Sequence, residues 1–158
     1  RAGLQCDLHV AARREHLDLI ERLPTEGDEL LGYILNQMAQ AEMMATSRSW
    51  IESFNAGDLD SCADGYTENA SMVATPVGSF DGRAAIKEFW QSLTTETGAT
   101  DLTYQNVRLT VESPTRLRLA ADWSMNVGSG VITNELWVRQ DDGAWRLEED
   151  HFEVLERA

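Results

Sequence analysis

Acidic side chains are concentrated at the C-terminal end of the sequence, where acid–base chemistry is easiest to place. From residue 134 onward there are eight carboxylates against three arginines. Most of such a run is expected to lie on a solvated surface and to favour solubility. A carboxylate that points into an apolar interior instead has a raised pKa and exchanges protons near neutrality. One or two inward-pointing members of the run would therefore carry the chemistry.

Strand alternation separates Asp150 from its acidic neighbours. A strand predicted over Ala144–Leu155 places Asp150 on the same face as Phe152, whereas His151 takes the opposite face. We rank Asp150 first among the candidate catalytic residues. A solvated position within the acidic run is the alternative for this side chain.

Glu135 is the second candidate, because its strand neighbours on the same face are Thr133 and Trp137. Partial burial there would raise the pKa of the carboxyl and let it donate or accept a proton near neutrality. The alternative is a cross-strand ion pair with a nearby arginine. His151 ranks third, since only a β-bulge would turn it toward the same side as Asp150.

The elements that position these residues follow from hydrophobic periodicity and from turn residues. Helical spacing predicts a helix within residues 1–24, one long helix or two across residues 30–54, and a short helix that Asp58 caps. A further helix begins with Asp81 as its cap and ends at Gly98. The period then changes to two, and the predicted strands are Ala70–Thr75, Leu102–Val111, Leu117–Val127, Val131–Arg139 and Ala144–Leu155. Helices followed by a strand meander predict an α+β fold.

Composition excludes several classes of partner. The chain has 158 residues and a formal net charge of −14, which argues against nucleic acid and against an anionic membrane surface. No apolar run is long enough to span a bilayer, and no signal peptide is visible. Two cysteines, Cys6 and Cys62, are too few for a disulfide scaffold, so we expect reduced thiols and a cytoplasmic location. The chain begins at Arg1, so removal of a leader stays open.

Signatures of cofactor and metal sites are not found in the sequence. There is no glycine-rich phosphate loop, no dinucleotide fingerprint and no Gly-x-Ser-x-Gly elbow. The three histidines do not cluster, so a zinc or iron site is not expected. We therefore expect neither a metal nor a cofactor.

Several motifs together resemble the ketosteroid isomerases and the wider SnoaL-like superfamily. These are Asn55–Asp60, Pro76–Ser79, Gly82–Trp90, Asp142–Leu147 and Asp150–Phe152. The superfamily includes polyketide cyclases, scytalone dehydratase, limonene epoxide hydrolase and the nuclear transport factor two fold. The resemblance covers about residues 41–155.

The resemblance implies a cone, in which a curved antiparallel sheet wraps around three helices and a pocket opens at the wide end. An additional N-terminal helix would precede it, so the expected division is an extension over residues 1–38 and a cone domain over residues 39–158. Members of this fold usually pair through the outer face of the sheet, and we expect a homodimer. The extra helix would cover the pocket mouth or extend the dimer contact.

The chain departs from the family at the residues that carry the chemistry. Trp50 stands where the isomerases have their oxyanion tyrosine, Thr75 replaces their proton-shuttling aspartate, and Glu135 falls at their protonated aspartate. Ketosteroid isomerisation is therefore disfavoured. Asp150 is similar to one aspartate of the limonene epoxide hydrolases, but Ala120 stands where their arginine is expected.

The resemblance predicts a pocket that suits a flat, hydrophobic small molecule. The expected lining is Trp50, Phe54, Tyr66, Met72, Thr75, Trp90, Trp123, Met125 and Phe152. For any single one of these residues, an ordinary core position is the alternative.

Three functional hypotheses are compatible with these patterns. The first is a cofactor-independent enzyme in which Asp150 and Glu135 form an acid–base pair and Tyr66 or Trp50 orients the substrate. Its reaction would be an isomerisation, dehydration, cyclisation or hydrolysis. The second is a non-catalytic module that binds a hydrophobic ligand, and the third, ranked lower, is a protein-interaction domain.

Overall fold

The computed structural model describes residues 27–158, within which Met38–Ala158 form one compact unit. The helix predicted within residues 1–24 lies outside the described residues, as does Cys6. The elements follow in chain order as α1 (Gly27–Asn55), α2 (Leu59–Asp64), β1 (Tyr66–Thr75), β2 (Gly78–Asp81), α3 (Arg83–Thr97), β3 (Thr103–Ser113), β4 (Arg116–Met125), β5 (Gly128–Arg139) and β6 (Trp145–Arg157).

Helix α1 is one continuous helix, which decides between the two alternatives that the sequence left open. Its buried residues are Ala39, Met43, Ser47, Trp50 and Phe54. They recur every three or four positions and therefore form one face, which packs into the core. Within residues 27–158 no helix combines the length and the apolar character that a membrane crossing requires.

Local side-chain chemistry sets the ends of the two shorter helices. Asp58 caps α2 as predicted, and its carboxylate accepts a hydrogen bond of 3.1 Å from the backbone N–H of Ser61. The predicted cap of α3 is wrong, because Asp81 is the last residue of β2 and Gly82 occupies the cap position. Gly98 ends α3 in the left-handed conformation, with φ of 68°, which a glycine adopts without strain.

The six strands form a single curved sheet in the order β2-β1-β6-β5-β4-β3. All neighbouring pairs are antiparallel except β1 and β6, which run parallel. The predicted α+β class is confirmed. Two details differ from the prediction: β1 begins at Tyr66 rather than at Ala70, and β2 had not been predicted.

Strand β4 shows the alternation that the sequence predicted. Leu117, Leu119 and Trp123 are buried against the helices, and the intervening residues face outward. On the outer face, Arg118 is half-buried and contacts Glu112, Glu149 and the amide of Asn134. The inner face therefore carries the core, and the outer face carries ion pairs.

Alternation fails in β5 at the point that matters for the site. The pairing of β5 with β6 shifts between Ile132 and Asn134, so that Ile132 and Glu135 are both buried while Thr133 is exposed. The expectation that Thr133 shares a face with Glu135 is therefore wrong. An irregularity of this kind inserts one residue and reverses the phase of the strand.

Gly130 lies where β5 approaches β6 too closely for a side chain. A Cβ added there would be 1.9 Å from the backbone oxygen of Glu153 and 2.9 Å from the indole of Trp123. We expect Gly130→Ala to lower the free energy of unfolding by about 2 kcal/mol or more, as measured by urea denaturation. Gly32→Ala is the matched control, because open space surrounds that position. Equal stability of the two variants would contradict this packing.

Candidate functional site

Two carboxyl groups are buried side by side at the inner face of the sheet. Glu135 of β5 and Asp150 of β6 are paired in register across the two strands. Only 2% of Glu135 and 5% of Asp150 are exposed. Two buried acids at adjacent positions are rare unless they serve a function, because each charge disfavours ionisation of the other.

The pair lies at the wall of a cavity of about 360 Å³. Side chains from α1, α3 and strands β3 to β6 surround it, and most of them are apolar. Its aromatic lining consists of Trp50, Phe89, Trp90, Tyr104, Trp123, Trp137 and Phe152. This volume and lining fit a small, largely apolar molecule.

Asp150 is held by a chain of hydrogen bonds that includes Tyr66 and Trp90. The Tyr66 hydroxyl donates to Oδ2 of Asp150 at 2.6 Å, and the Trp90 indole N–H donates to the Tyr66 oxygen at 3.1 Å. Tyr66 is fully buried, and burial together with the charge of Asp150 raises the pKa of its phenol well above the usual value. Tyr66 therefore stays protonated and acts as a fixed donor to Asp150.

Glu135 has a partner on each of its oxygens. The Tyr104 hydroxyl donates to Oε1 at 2.7 Å, and the Trp137 indole N–H donates to Oε2 at 2.8 Å. The predicted alternative, an arginine partner, is not what the structure contains. Arg139 lies by Glu42, and Arg146 pairs with Asp142.

Burial separates the pKa values of the two acids. Desolvation raises the pKa of Asp150 to about 6, against the lowering effect of the Tyr66 hydrogen bond. Desolvation and then the charge of Asp150 raise the pKa of Glu135 to about 8, although Tyr104 and Trp137 oppose this. The two carboxyls interact, so the observed titration steps belong to the pair. At neutral pH the pair carries one proton, which lies mainly on Glu135.

Two tryptophans of the cavity wall donate their indole N–H groups to backbone oxygens. Trp50 donates to the backbone oxygen of Cys62 at 3.0 Å, and Trp123 donates to that of Glu153 at 3.2 Å. Trp90 and Phe152 stack with their centroids 5.8 Å apart. The N–H of Trp50 is therefore already bonded to the backbone, and its ring is what remains for contact with a ligand.

Seven of the residues predicted for the site lie at the cavity wall. They are Trp50, Trp90, Trp123, Met125, Glu135, Asp150 and Phe152. They come from α1, α3 and three strands, so the fold brings together positions that are up to 102 residues apart in the chain.

Five other predicted residues lie elsewhere. Phe54 and Met72 are core residues, and Tyr66 lies behind Asp150. Thr75 is exposed at the end of β1, next to the buried Ala74 that takes the inward position. His151 is half-buried on the face opposite Asp150, because the pairing of β5 with β6 is regular at these two residues and no β-bulge turns His151 inward.

Several wall residues were missed at the sequence level, and those among them that carry a polar group and are not exposed are Ser47, Tyr104 and Trp137. Ser47 follows Met43 by four positions and precedes Trp50 by three, so helical spacing indicates the face on which it lies. Only 3% of Ser47 is exposed. It adds a hydroxyl to the polar groups at the wall of the cavity.

Removal of the Tyr66 hydroxyl tests the hydrogen bond that holds Asp150. In Tyr66→Phe we expect the pKa of Asp150 to rise above its wild-type value, because the lost donor favoured the ionised carboxylate. The measurement is the pH titration of the Asp150 carboxyl carbon by ¹³C NMR. Tyr33→Phe, at a residue that is 61% exposed, is the control. An unchanged or lower pKa in Tyr66→Phe would contradict the assignment.

Metal ligands are not clustered in the part of the chain described here. Among residues 27–158, no three His, Cys, Asp or Glu side chains are grouped so as to hold a metal ion. Cys62 is fully buried, and burial raises the pKa of its thiol to about 12, with a further contribution from the charge of Asp58. This thiol is therefore protonated at neutral pH, and it packs as a small apolar residue.

A family model for the SnoaL-like domain matches residues 47–148, which is more than half of the sequence. The chain belongs to the SnoaL-like family. The match includes Glu135 and ends two residues before Asp150. A search of curated protein sequences finds no significant match.

Several solved structures have the same fold. An NTF2-like protein with a cystatin-like fold from Novosphingobium aromaticivorans has a TM-score of 0.67 at 13% identity, covering 84% of this chain and 92% of its own. A candidate scytalone dehydratase from the same organism has a TM-score of 0.62 at 12% identity, covering 80% and 90%. ActVI-ORFA from Streptomyces coelicolor has a TM-score of 0.62 at 15% identity, covering 73% and 96%. At these identities the likeness is one of fold.

Proposed function

We propose that this SnoaL-like protein is a cofactor-independent enzyme that moves protons on a small hydrophobic molecule held in the cavity. The observation that carries the proposal is the pair of buried carboxyls, Glu135 and Asp150, side by side at the wall of a mostly apolar cavity. With pKa values of about 8 and about 6, they supply one acid and one base at neutral pH. Asp150 is the base and Glu135 is the acid.

The substrate is a flat, apolar molecule with an acidic C–H bond next to a carbonyl group. The aromatic walls favour flat apolar surface, and a carboxylate of modest basicity removes only a proton that a neighbouring carbonyl activates. Abstraction of such a proton is the first step of isomerisation, of dehydration and of ring closure alike. The candidate scytalone dehydratase of the same fold is consistent with this reaction class.

Epoxide hydrolysis is less well supported than proton transfer. The hydrolases that Asp150 resembles use a second aspartate and an arginine, and the corresponding strand here carries Asp122 and Ala120. Asp122 accepts a hydrogen bond of 2.7 Å from Asn106 and does not line the cavity. The set that would activate water is therefore incomplete.

The proposed reaction begins with transfer of a proton from carbon to Asp150. The electron pair of the broken C–H bond forms the carbon–carbon double bond of an enol, and the carbonyl oxygen receives a proton from the side of Glu135. Where the substrate has a conjugated double bond, return of the proton from Asp150 to the far carbon isomerises it, and the enol oxygen gives its proton back to Glu135. Where a neighbouring carbon carries a hydroxyl, that hydroxyl leaves as water with the proton from Asp150, and the enol proton again returns to Glu135.

Hydrogen–deuterium exchange into a simple ketone tests the proposal without knowledge of the natural substrate. We expect the protein at pH 7 in D₂O to accelerate deuterium uptake at the carbon atoms next to the carbonyl of 2-tetralone, as followed by mass spectrometry. Quenching of tryptophan fluorescence reports binding in the same samples. Binding without accelerated exchange would contradict the enzyme and support the alternative of a ligand-binding module.

A further inference from the structure

The hydrogen bonds of Glu135 restrict where its proton can lie. Oε2 accepts the indole N–H of Trp137 at 2.8 Å, and an indole nitrogen only donates. Oε2 must therefore stay unprotonated in order to accept this hydrogen bond. The proton of the neutral acid belongs on Oε1, which is the oxygen that Glu135 shares with Tyr104 at 2.7 Å.

The two charge states of Glu135 then impose opposite directions on the bond to Tyr104. The ionised carboxylate accepts the hydroxyl hydrogen of Tyr104. The neutral acid donates its own hydrogen to the Tyr104 oxygen, so the hydroxyl hydrogen of Tyr104 must find another acceptor. Tyr104 lines the cavity, and no other hydrogen bond of its hydroxyl is found within residues 27–158. The hydroxyl hydrogen of Tyr104 is therefore free to be donated to a ligand in the cavity.

We propose that Tyr104 is the residue that contacts the reacting oxygen of the substrate, and that it donates to this oxygen only while Glu135 is protonated. The catalytic role of Tyr104 rests on the proposed function. The pH-dependent hydrogen bond to a carbonyl ligand rests only on the hydrogen bonds of Glu135 and Tyr104. During the reaction, the Tyr104 hydrogen passes to the substrate oxygen while the Oε1 hydrogen of Glu135 passes to the Tyr104 oxygen. Tyr104 ends neutral, Glu135 ends ionised, and Asp150 holds the proton that it took from carbon.

The neighbours of Tyr104 are consistent with this relay. Burial, followed by the charges of Glu135 and Asp150, raises the pKa of the Tyr104 phenol well above its usual value, so the tyrosine passes a proton on and does not remain ionised. The groups that titrate around Glu135 are Tyr104 from β3 and Asp150 from β6, with Tyr66 from β1 behind Asp150. Helices α1 and α3 place uncharged groups at the deep wall, and the charged Glu96 and Arg157 are exposed cavity residues.

The ligand preference of the cavity follows from the direction of the Tyr104 hydrogen. With Glu135 protonated, the site offers a donor and favours a carbonyl or enolate oxygen. With Glu135 ionised, the Tyr104 oxygen is left to accept, and a carbonyl ligand loses its partner. Affinity for a carbonyl compound should therefore fall as the pH rises through about 8, the pKa of Glu135.

The test is the infrared carbonyl band of 2-tetralone at saturating protein, together with its dissociation constant, between pH 6 and pH 9. In the wild type we expect a hydrogen-bonded, lower-frequency band at pH 6, and loss of that band with about tenfold weaker binding at pH 9. In Glu135→Gln the amide N–H₂ faces Tyr104 and the amide oxygen accepts from Trp137, so the low-frequency band should persist at both pH values. In Tyr104→Phe the band should be absent at both.

Tyr33→Phe is the matched control, because it removes a phenol that is 61% exposed and leaves the Glu135–Tyr104 pair intact. It should keep the pH dependence of the band.

A low-frequency band that persists in Tyr104→Phe, or a wild-type protein that does not bind 2-tetralone, would overturn the relay. If the band behaves as expected but no deuterium exchange occurs, the gated hydrogen bond stands and the enzymatic proposal fails. Exchange that is unaffected in Tyr104→Phe would instead overturn the catalytic role of Tyr104 and leave the enzymatic proposal standing.

Discussion

Replacement of Asp150 by asparagine should reduce the rate of 2-tetralone exchange by about 1,000-fold, because loss of a positioned general base typically costs 10²–10⁴ in rate. The amide keeps the shape of the side chain and still accepts the hydrogen bond from Tyr66. Binding of 2-tetralone should therefore change by less than about threefold. The measurement is the exchange rate per bound ligand at pH 7, which separates the chemical step from affinity.

The control for this variant is Glu148→Gln, which removes another carboxylate of the same strand. Glu148 lies two residues from Asp150, its side chain is 46% exposed, and it contacts Arg116. Exchange should be unchanged in this variant. Wild-type exchange in Asp150→Asn would remove Asp150 from the mechanism.

Replacement of Glu135 by glutamine should make the protein more stable than the wild type at alkaline pH. The pKa of Glu135 is about 8 in the folded state against an ordinary value of 4.5, so folding favours the protonated form. The stability that this carboxyl contributes is present below pH 4.5 and is lost as the pH rises through about 8. Glutamine mimics the protonated form at every pH, so the variant keeps this contribution to stability when the pH rises.

The stability difference between variant and wild type should grow across this pH window and level off above pH 8. Its slope should approach the ~1.4 kcal/mol per pH unit that a difference of one bound proton gives. Urea denaturation at several pH values measures this slope. Glu148→Gln should show no comparable growth, since its side chain is largely solvated. A flat difference for Glu135→Gln would mean that Glu135 is ionised at no cost in the folded protein.

The sequence predicted helices α1 to α3 and the hairpins that join β4, β5 and β6, because their signals are local. Asp58 caps α2, Gly98 ends α3, and the alternation along β4 appears in the structure as expected. The inward direction of Asp150 follows from the same alternation, since Phe152 lies on its face. Each of these features depends on residues that lie only a few positions apart in the sequence.

Features that depend on strand pairing were not predictable. Thr133 was expected inside and is exposed, because the shift in pairing at Asn134 reverses the phase of β5. Thr75 was carried over from the family motif, yet its neighbour Ala74 takes the inward position. Tyr104 was missed because its role comes from contact with Glu135, 31 residues away in sequence.

Other expectations concern the assembly and the ends of the chain. Pairing of two chains through the outer face of the sheet remains a prediction. So do the cytoplasmic location and the boundary between an extension over residues 1–38 and the cone domain. The helix predicted within residues 1–24 and its relation to the pocket mouth lie outside the described residues.

The most direct test of the acid–base pair is the pH titration of the two buried carboxyls by ¹³C NMR of selectively labelled protein. We predict one step near pH 6, in which the Asp150 signal moves most, and a second near pH 8, in which the Glu135 signal moves most. In Asp150→Asn the Glu135 step should move to lower pH, because the neighbouring charge is gone. Titration of both carboxyls below pH 5 would contradict the claim that this cavity holds one acid and one base at neutral pH.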